Sequence, residues 1–582
     1  MRRLGLFTMK ENLMKNVTPK NKFGWADVLV ILLLLSLLYA AAKVGSGMQV
    51  PFSADRQPAL SLDPKWLPYY AARSLLRMFI AFAASLVFTF LYGRIAAYNR
   101  TAEKFMIPAI DILQSVPVLG FLSATVLVFM ALFPGSMLGV ECASIFAIFT
   151  GQVWNMTFSF YHSLKTIPRD LNEAATMNRL GAFTRFTKLE APFSMIGLVW
   201  NSMMSFGGGW FFLTASESIS VLNQDIHLPG IGSYMALAAD AGDMQAIIYS
   251  ILTMIIMIIV VDQLFWRPIV AWSQKFKNEQ TESSEAPTSW VFDILKRAGF
   301  VQSLNQNIKN ALHDAAIQLA NKRAQVNLPQ PPPRVKKIFK GAIVIIVTGA
   351  LMIYVYEGLL EITRLSWGEI THVVALGLLT AMRVFVSTIL AVIWTLPVGV
   401  FIGMNPRLSR IIQPIVQVLS SFPANMAFPL FIILYLKLGI SMEIGAIPLM
   451  MLGTQWYVLF NVIAGAMAIP SDLKEASIIL KLSRWQTWKK LILPAVFPFL
   501  VTGCITASGG AWNASIVSEI VSWKNNHLQA SGLGSYITQA TNNGNWPEII
   551  WGILVMCLLV VIVNRMVWRK LYTLAEKKYH LD

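Results

Sequence analysis

An all-α polytopic membrane protein made of two parallel six-helix repeats, about 12 transmembrane helices in all, is the fold class that three features of the sequence predict. The first is composition. Of 582 residues, 55% are hydrophobic and only 13% charged, the balance of an integral membrane protein. The second is the recurrence of apolar runs of about 20 residues, the length a helix needs to cross roughly 30 Å of hydrocarbon. The third is an internal repeat. Ile167-Pro168-Arg169-Asp170-Leu171-Asn172-Glu173-Ala174-Ala175 returns as Ile469-Pro470-Ser471-Asp472-Leu473-Lys474-Glu475-Ala476-Ser477, an offset of 302.

In chain order, residues 1–24 form a basic tail (Arg2, Arg3, Lys10, Lys15, Lys20, Lys22), which the positive-inside rule places in the cytoplasm. Apolar runs at 25–44, 69–93, 106–131, 137–161, 192–215 and 245–266 are the six spans of the first copy. The first has no convincing cleavage site and reads as a retained helix. Arg94, Arg100 and Lys104, then Arg169, Arg179, Arg185 and Lys188, then Arg267, Lys275 and Lys277 fall in alternate loops, on the inside. The loop with Asp225, Asp240 and Asp243 carries no Lys or Arg and faces out. The net charge of +17 is thus mainly topological, and no nucleic acid partner is expected. Cys142, Cys504 and Cys557 sit in apolar stretches and suggest neither a disulfide framework nor a metal site.

The offset of 302 also relates Gly151/Gly453, Trp154/Trp456, Pro192/Pro494, Trp210/Trp512, Glu217/Glu519 and Trp266/Trp568, and upstream it becomes 306, as Arg77/Arg383 and Pro117/Pro423 record. Each copy has an even number of spans and starts inside, so the repeats are parallel. The domains are the tail, a first membrane domain at 25–272, a cytoplasmic linker at 273–338 and a second membrane domain at 339–582. The linker holds a stiff Pro329-Gln330-Pro331-Pro332-Pro333 spacer. Apolar positions from Ile294, Leu295 and Ala298 through Val301, Leu304, Ile308, Leu312 and Ala315 to Leu319 suit an amphipathic helix, whose role is a plain link, a partner site or a membrane surface contact.

After the fourth span, Glu173 to Pro192 and Glu475 to Pro494 are separated by 19 residues in both copies. Leu180, Phe183 and Phe186, and Leu480, Leu482, Trp485 and Trp488, make short amphipathic helices there. Such a helix either lies on lipid or enters a groove of a partner.

These loops, with Ile-Pro before and Pro 19 residues after the Glu, resemble the EAA loop of type I ABC importer permeases. Trp210 to Glu217, Trp512 to Glu519 and Ser531-Gly532-Leu533-Gly534-Ser535-Tyr536 resemble the nitrate, sulfonate, taurine and bicarbonate branch, and the duplication resembles the fused permease component of anion transport systems. The resemblance implies the type I importer transmembrane fold, a bacterial or archaeal cytoplasmic membrane and cytoplasmic termini. It also implies coupling to ATPase subunits through Glu173, Ala174, Ala175 and Gly181 in one copy and Glu475, Ala476 and Ser477 in the other. The family's glycine stands six residues after the Glu, where this chain has Arg179 and Lys481; Gly181 lies two later, with Ser483 opposite.

No Gly-x-x-x-x-Gly-Lys-[Ser/Thr] stretch occurs, so no cofactor is expected on this chain. ATP and Mg belong to two separate ABC ATPase subunits, and a periplasmic or lipid-anchored solute-binding protein is implied. For the translocation pathway the candidates are Arg77, Arg383, Ser115, Ser420, Ser421, Glu217 and Glu519. Ionisable residues within spans are costly and often functional; for Arg77 and Arg383 an interhelix structural role competes. The breaks Gln114-Ser115-Val116-Pro117 and Ser420-Ser421-Phe422-Pro423 expose carbonyls or merely kink a helix. Gly207-Gly208-Gly209 and Gly509-Gly510 allow close packing or a gating bend. A gradient-driven transporter leaves the two loops without a role, and a membrane enzyme lacks a His cluster.

Overall fold

A computed structural model describes residues 24–52, 60–114, 116–221, 224–276, 289–299, 355–524 and 526–578, with isolated positions between 300 and 354. The amino-terminal tail as far as residue 23, Ser115, the linker positions Val301, Leu304, Ile308, Leu312, Ala315 and Leu319, the proline-rich spacer and most of the start of the second membrane domain lie outside the described residues.

The first copy supplies α1 (Trp25–Ser46), α2 (Leu67–Tyr98), α3 (Arg100–Leu113), α4 (Leu122–Leu132), α5 (Leu138–Lys165), α6 (Arg169–Met177), α7 (Ala191–Glu217), a hairpin of β1 (Ser218–Val221) and β2 (Gln224–His227), α8 (Ile231–Ala241) and α9 (Met244–Val261). In the linker lies α10 (Trp290–Arg297). The second copy repeats the order with α11 (Trp367–Gly403), α12 (Pro406–Ser421), α13 (Phe428–Leu438), α14 (Met442–Met467), α15 (Ser471–Ile479), α16 (Leu493–Ser518), β3 (Ile520–Trp523), β4 (Asn526–Gln529), α17 (Leu533–Asn543) and α18 (Trp546–Val563). Even the irregularities repeat. Single π-turns at Phe186–Glu190 and Asp262–Trp266 recur at Trp488–Ile492 and Asn564–Trp568, the kind of bulge that tends to mark functional places in helices.

Six helical stretches among the described residues are long and apolar enough to cross a membrane: Pro64–Tyr98, Met244–Phe276, Trp367–Gly403, Met442–Met467, Arg484–Ser518 and Trp546–Ala575. Large apolar side chains such as Leu91, Ile256 and Ile393 are more than half exposed on them, as a surface facing lipid chains requires. The third span of each copy is broken outright. Helix α3 stops at Leu113 and α4 begins at Leu122, while α12 and α13 are bent by 79°. Pro117 and Pro423, both extended, end the first helix and start a 3₁₀ turn, because proline excludes the α conformation from the residue before it.

The chain packs as two compact units. One gathers Met1–Lys43, Ile167–Val199 and Val261–Pro332. In it Val30 of α1 and Ala298 are buried together, with Ile294 and Leu295 of α10 against them. Ser289 caps α10 by accepting from the Phe292 amide, and the helix ends at Ala298, whose ψ is 111°. The helix suggested from Ile294 onward therefore does not continue unbroken. The other unit gathers Val44–Thr166, Trp200–Val260 and Pro333–Asp582. Its largest core mixes the copies: Val118, Leu122 and Val126 are buried in one cluster with Trp512, Ile516 and Ile537. Polar ties also cross between copies. The Val118 amide donates to Asn513 Oδ1 at 2.9 Å, and Thr214 Oγ1 lies 3.0 Å from Asn425 Oδ1.

Candidate translocation pathway and coupling loops

Helix α2 places Arg73, Ser74 and Arg77 on one face, by the i, i+4 spacing of a helix. Arg77 reaches Glu141 of α5 through Nε at 2.5 Å and Nη2 at 2.8 Å, and Glu217 at the end of α7 through Nη1 at 2.7 Å. Arg73 also pairs with Glu141. Glu217 accepts in addition from Ser74 Oγ at 2.5 Å and from the Gly232 amide at 2.6 Å, so its carboxylate completes the amino-terminal end of α8, where unpaired amides favour an anion. The glycines of that turn are sterically required. A Cβ on Gly230 would strike the Glu217 carboxylate, and one on Gly232 the backbone of Thr214.

The second copy repeats this with one exchange. Arg383 pairs with Glu443 and, at 3.1 Å, with Glu519; Thr380 Oγ1 and the Gly534 amide reach Glu519 at 2.7 Å each. At the position of Arg73 stands Leu379. Its part is taken by Ser531, whose amide and hydroxyl donate to Glu443 at 2.8 and 2.7 Å. Pro229 stands opposite Ser531 in the first copy and has no amide hydrogen to give.

The candidate pathway residues Arg77, Arg383, Glu217 and Glu519 all belong to these two buried networks. Arg77, Glu217 and Glu519 side chains are fully buried, and Arg383 nearly so, with their polar atoms engaged by protein. They tie helices together, the competing role stated for the arginines.

Ser420 and Ser421 are placed differently. They line a cleft of about 60 Å³ together with Gly207, Gly208, Phe211 and Phe212 of α7 and Gly453, Thr454, Tyr457, Gly510, Asn513 and Ala514 of the second copy. Both serine hydroxyls donate to the Gln417 carbonyl at 2.9 Å, which leaves their lone pairs to accept. The glycines serve close approach here: a Cβ on Gly207 would stand 3.0 Å from Ser421 Oγ, and one on Gly208 3.2 Å from the Tyr457 hydroxyl. Helix α7 runs through Gly207-Gly208-Gly209 without a break, and close packing accounts for these glycines.

Each candidate coupling loop is a helix, a tight turn and a second short helix. Glu173 on α6 and Glu475 on α15 are exposed; Ala175 is buried, and Ala174, Ala476 and Ser477 are half-buried. Met177 and Phe183 in one loop, and Ile478, Ile479, Leu480 and Trp485 in the other, are large apolar side chains left exposed. The turn is made at Arg179 and Lys481, with φ of 47° and 49°. That left-handed conformation favours glycine, which explains the glycine the resemblance places there. Gly181 is not its substitute. It is extended, with φ −62° and ψ 159°, caps the next turn, and a Cβ on it would touch nothing within 4 Å; its place among the coupling residues carries no steric requirement. In the first loop Arg185 braces the turn, reaching Asn172 Oδ1 at 2.8 Å and Glu190 at 3.2 Å.

Residues 85–265 and 395–579 match the model of the binding-protein-dependent transport system inner membrane component. The chain belongs to that family. Two matched segments in one polypeptide make it a duplicated inner membrane component. It is 28% identical over 185 residues to a nitrate import permease protein of Leptolyngbya laminosa, covering 32% of this chain and 63% of the relative. It is 25% identical over 178 residues to a bicarbonate transport system permease protein of Synechococcus elongatus (31% and 61%). Against a putative aliphatic sulfonates transport permease protein of Bacillus subtilis it is 27% identical over 179 residues (30% and 61%). Each match thus spans less than two thirds of the relative's length.

Glu141 and Glu443, 302 residues apart, are legible in the sequence as a repeat pair, but Arg73 and Ser531 carry no signal on their own. The departure of Arg73/Leu379 from the repeat, beside the departure of Pro229/Ser531, is the trace that would have revealed them.

Proposed function

We propose that this chain is the permease of an ATP-driven importer, forming the pathway for a small anion of the nitrate, bicarbonate, sulfonate or taurine class across a bacterial or archaeal cytoplasmic membrane, with both termini inside. Two ABC ATPase subunits bind ATP and Mg and seat one loop each; a periplasmic or lipid-anchored solute-binding protein delivers the solute on the other side. The observation that carries this reading is the pair of loops that fold alike, each with an exposed Glu and exposed apolar side chains beside it. Docking into a groove removes that apolar surface from water.

The geometry also supplies a mechanical link. Helix α7 begins directly after the first loop's π-turn, carries Gly207, Gly208, Phe211 and Phe212 to the cleft, and ends on Glu217. Closure of the ATPase subunits on the loop moves the cleft wall, while the Arg77–Glu217 pair holds the far end. Reconstitution of the chain with its ATPase and solute-binding protein in vesicles tests this. ATP-dependent uptake of nitrate, bicarbonate, ethanesulfonate or taurine, with no ATP hydrolysis by the chain alone, is expected; hydrolysis by the pure chain refutes it.

A further inference from the structure

We propose that the solute travels against the second copy, in a lopsided pocket whose size and polarity are set by Ala514, Asn513, Thr454 and Tyr457. The inference rests on the cleft's being part of the pathway. Two fused copies with the same fold should line a shared pathway equally from both sides, and the cleft does not. Among the described residues most of its wall belongs to the second copy, and the first contributes Gly207, Gly208, Phe211 and Phe212 from one helix.

The cause lies in two adjacent repeat pairs, Phe211/Asn513 and Phe212/Ala514. In the first copy the Phe212 ring lies on Gly151, so closely that a Cβ there would overlap it. In the second copy Ala514 replaces that ring, and the space over Gly453 stays open: a Cβ on Gly453 would meet only Ala424 Cβ, at 3.5 Å. The same facing position is thus filled in one copy and vacant in the other. Next to it, Asn513 brings an amide where the first copy brings the Phe211 ring, and Thr454 and Tyr457 stand where the first copy has Gln152 and Asn155. The pocket therefore has an aromatic wall from the first copy and a hydroxyl and amide wall from the second. Hydrogen-bonding groups without a full charge fit a small oxygen-rich solute in transit, since they orient it without holding it as a buried ion pair would. The aromatic wall favours a solute with an apolar side over a bare inorganic ion.

Cysteine accessibility tests the placement without knowledge of the solute. In the assembled complex, with Cys142, Cys504 and Cys557 replaced by serine, sulfonatoethyl methanethiosulfonate should modify Gly453→Cys at least about tenfold faster than Ala511→Cys, which lies in the sealed core. Gly151→Cys should stay unreactive until Phe212→Ala is added. Equal rates at the two glycine positions, or no reaction at Gly453→Cys, overturn the proposal. Should Gly151→Cys fail to accumulate, the Gly453 and Ala511 pair decides. In the transport arm, Ala514→Phe should lower uptake of nitrate and ethanesulfonate at least about tenfold while ATPase stimulation by the solute-binding protein persists. Unchanged uptake by Ala514→Phe overturns the inference and leaves the permease reading standing, whereas absence of any ATPase stimulation in the unmodified complex counts against the permease reading instead.

Discussion

Arg179 and Lys481, equivalent residues of the two repeats, share a left-handed backbone, with φ of 47° and 49°. For a residue with a Cβ this conformation costs about 1–2 kcal/mol, and the surrounding loop holds it in both copies. Replacing either by valine, whose branched side chain tolerates it least, should loosen the loop. Faster proteolytic cleavage within 176–183 or 478–485 is the expected readout, whereas Arg179→Gly and Lys481→Gly should be cleaved no faster than the parent.

The buried network at the opposite end of α7 makes a larger demand. Glu217→Ala removes the acceptor of Arg77, Ser74 and the Gly232 amide at once. Breaking a buried ion pair from one side costs about 3–5 kcal/mol. Folded protein recovered from membranes and its thermal midpoint should both fall sharply for Glu217→Ala and for Glu519→Ala. A midpoint within a degree of the parent would mean that these carboxylates carry no such load.

The exchange of Arg73 for Ser531 between copies gives a compensation test. Arg73→Leu leaves Glu141 with Arg77 alone, and Pro229→Ser offers the hydroxyl and amide that serve Glu443 in the second copy. The double variant should be more stable than the sum of the two single effects, with a coupling of about 1–3 kcal/mol in a double-mutant cycle. Strict additivity would mean that the two arrangements are not interchangeable.

Much of this architecture is legible in the sequence, because duplication prints it twice. The two copies, the paired loops after the fourth span and the breaks at Pro117 and Pro423 all follow from residues kept at an offset of 302 or 306. Side-chain partners are less legible because they are non-local: Arg77 meets residues 64 and 140 positions away, and a buried arginine reads the same whether it pairs or waits for a solute. The resemblance places Gly181 in the coupling set by position, while the conformation that wants glycine sits at Arg179. The lopsided cleft was hidden in Phe212/Ala514, a pair in which neither residue attracts notice until the ring is seen on Gly151.

The most direct test of the central claim, that the two loops are where separate ATPase subunits grip this permease, is charge reversal at each exposed Glu. Glu173→Arg and Glu475→Arg lie outside the apolar spans, so insertion and folded yield should match the parent. A wrong-sign charge at a docked helix should cost a few kcal/mol. On the proposed reading both ATPase subunits close together, so either single change should abolish ATP-dependent uptake and release the ATPase during co-purification, rather than halve the activity. Near-parental uptake with the ATPase retained in both variants would contradict the account and leave the loops as surface helices resting on lipid.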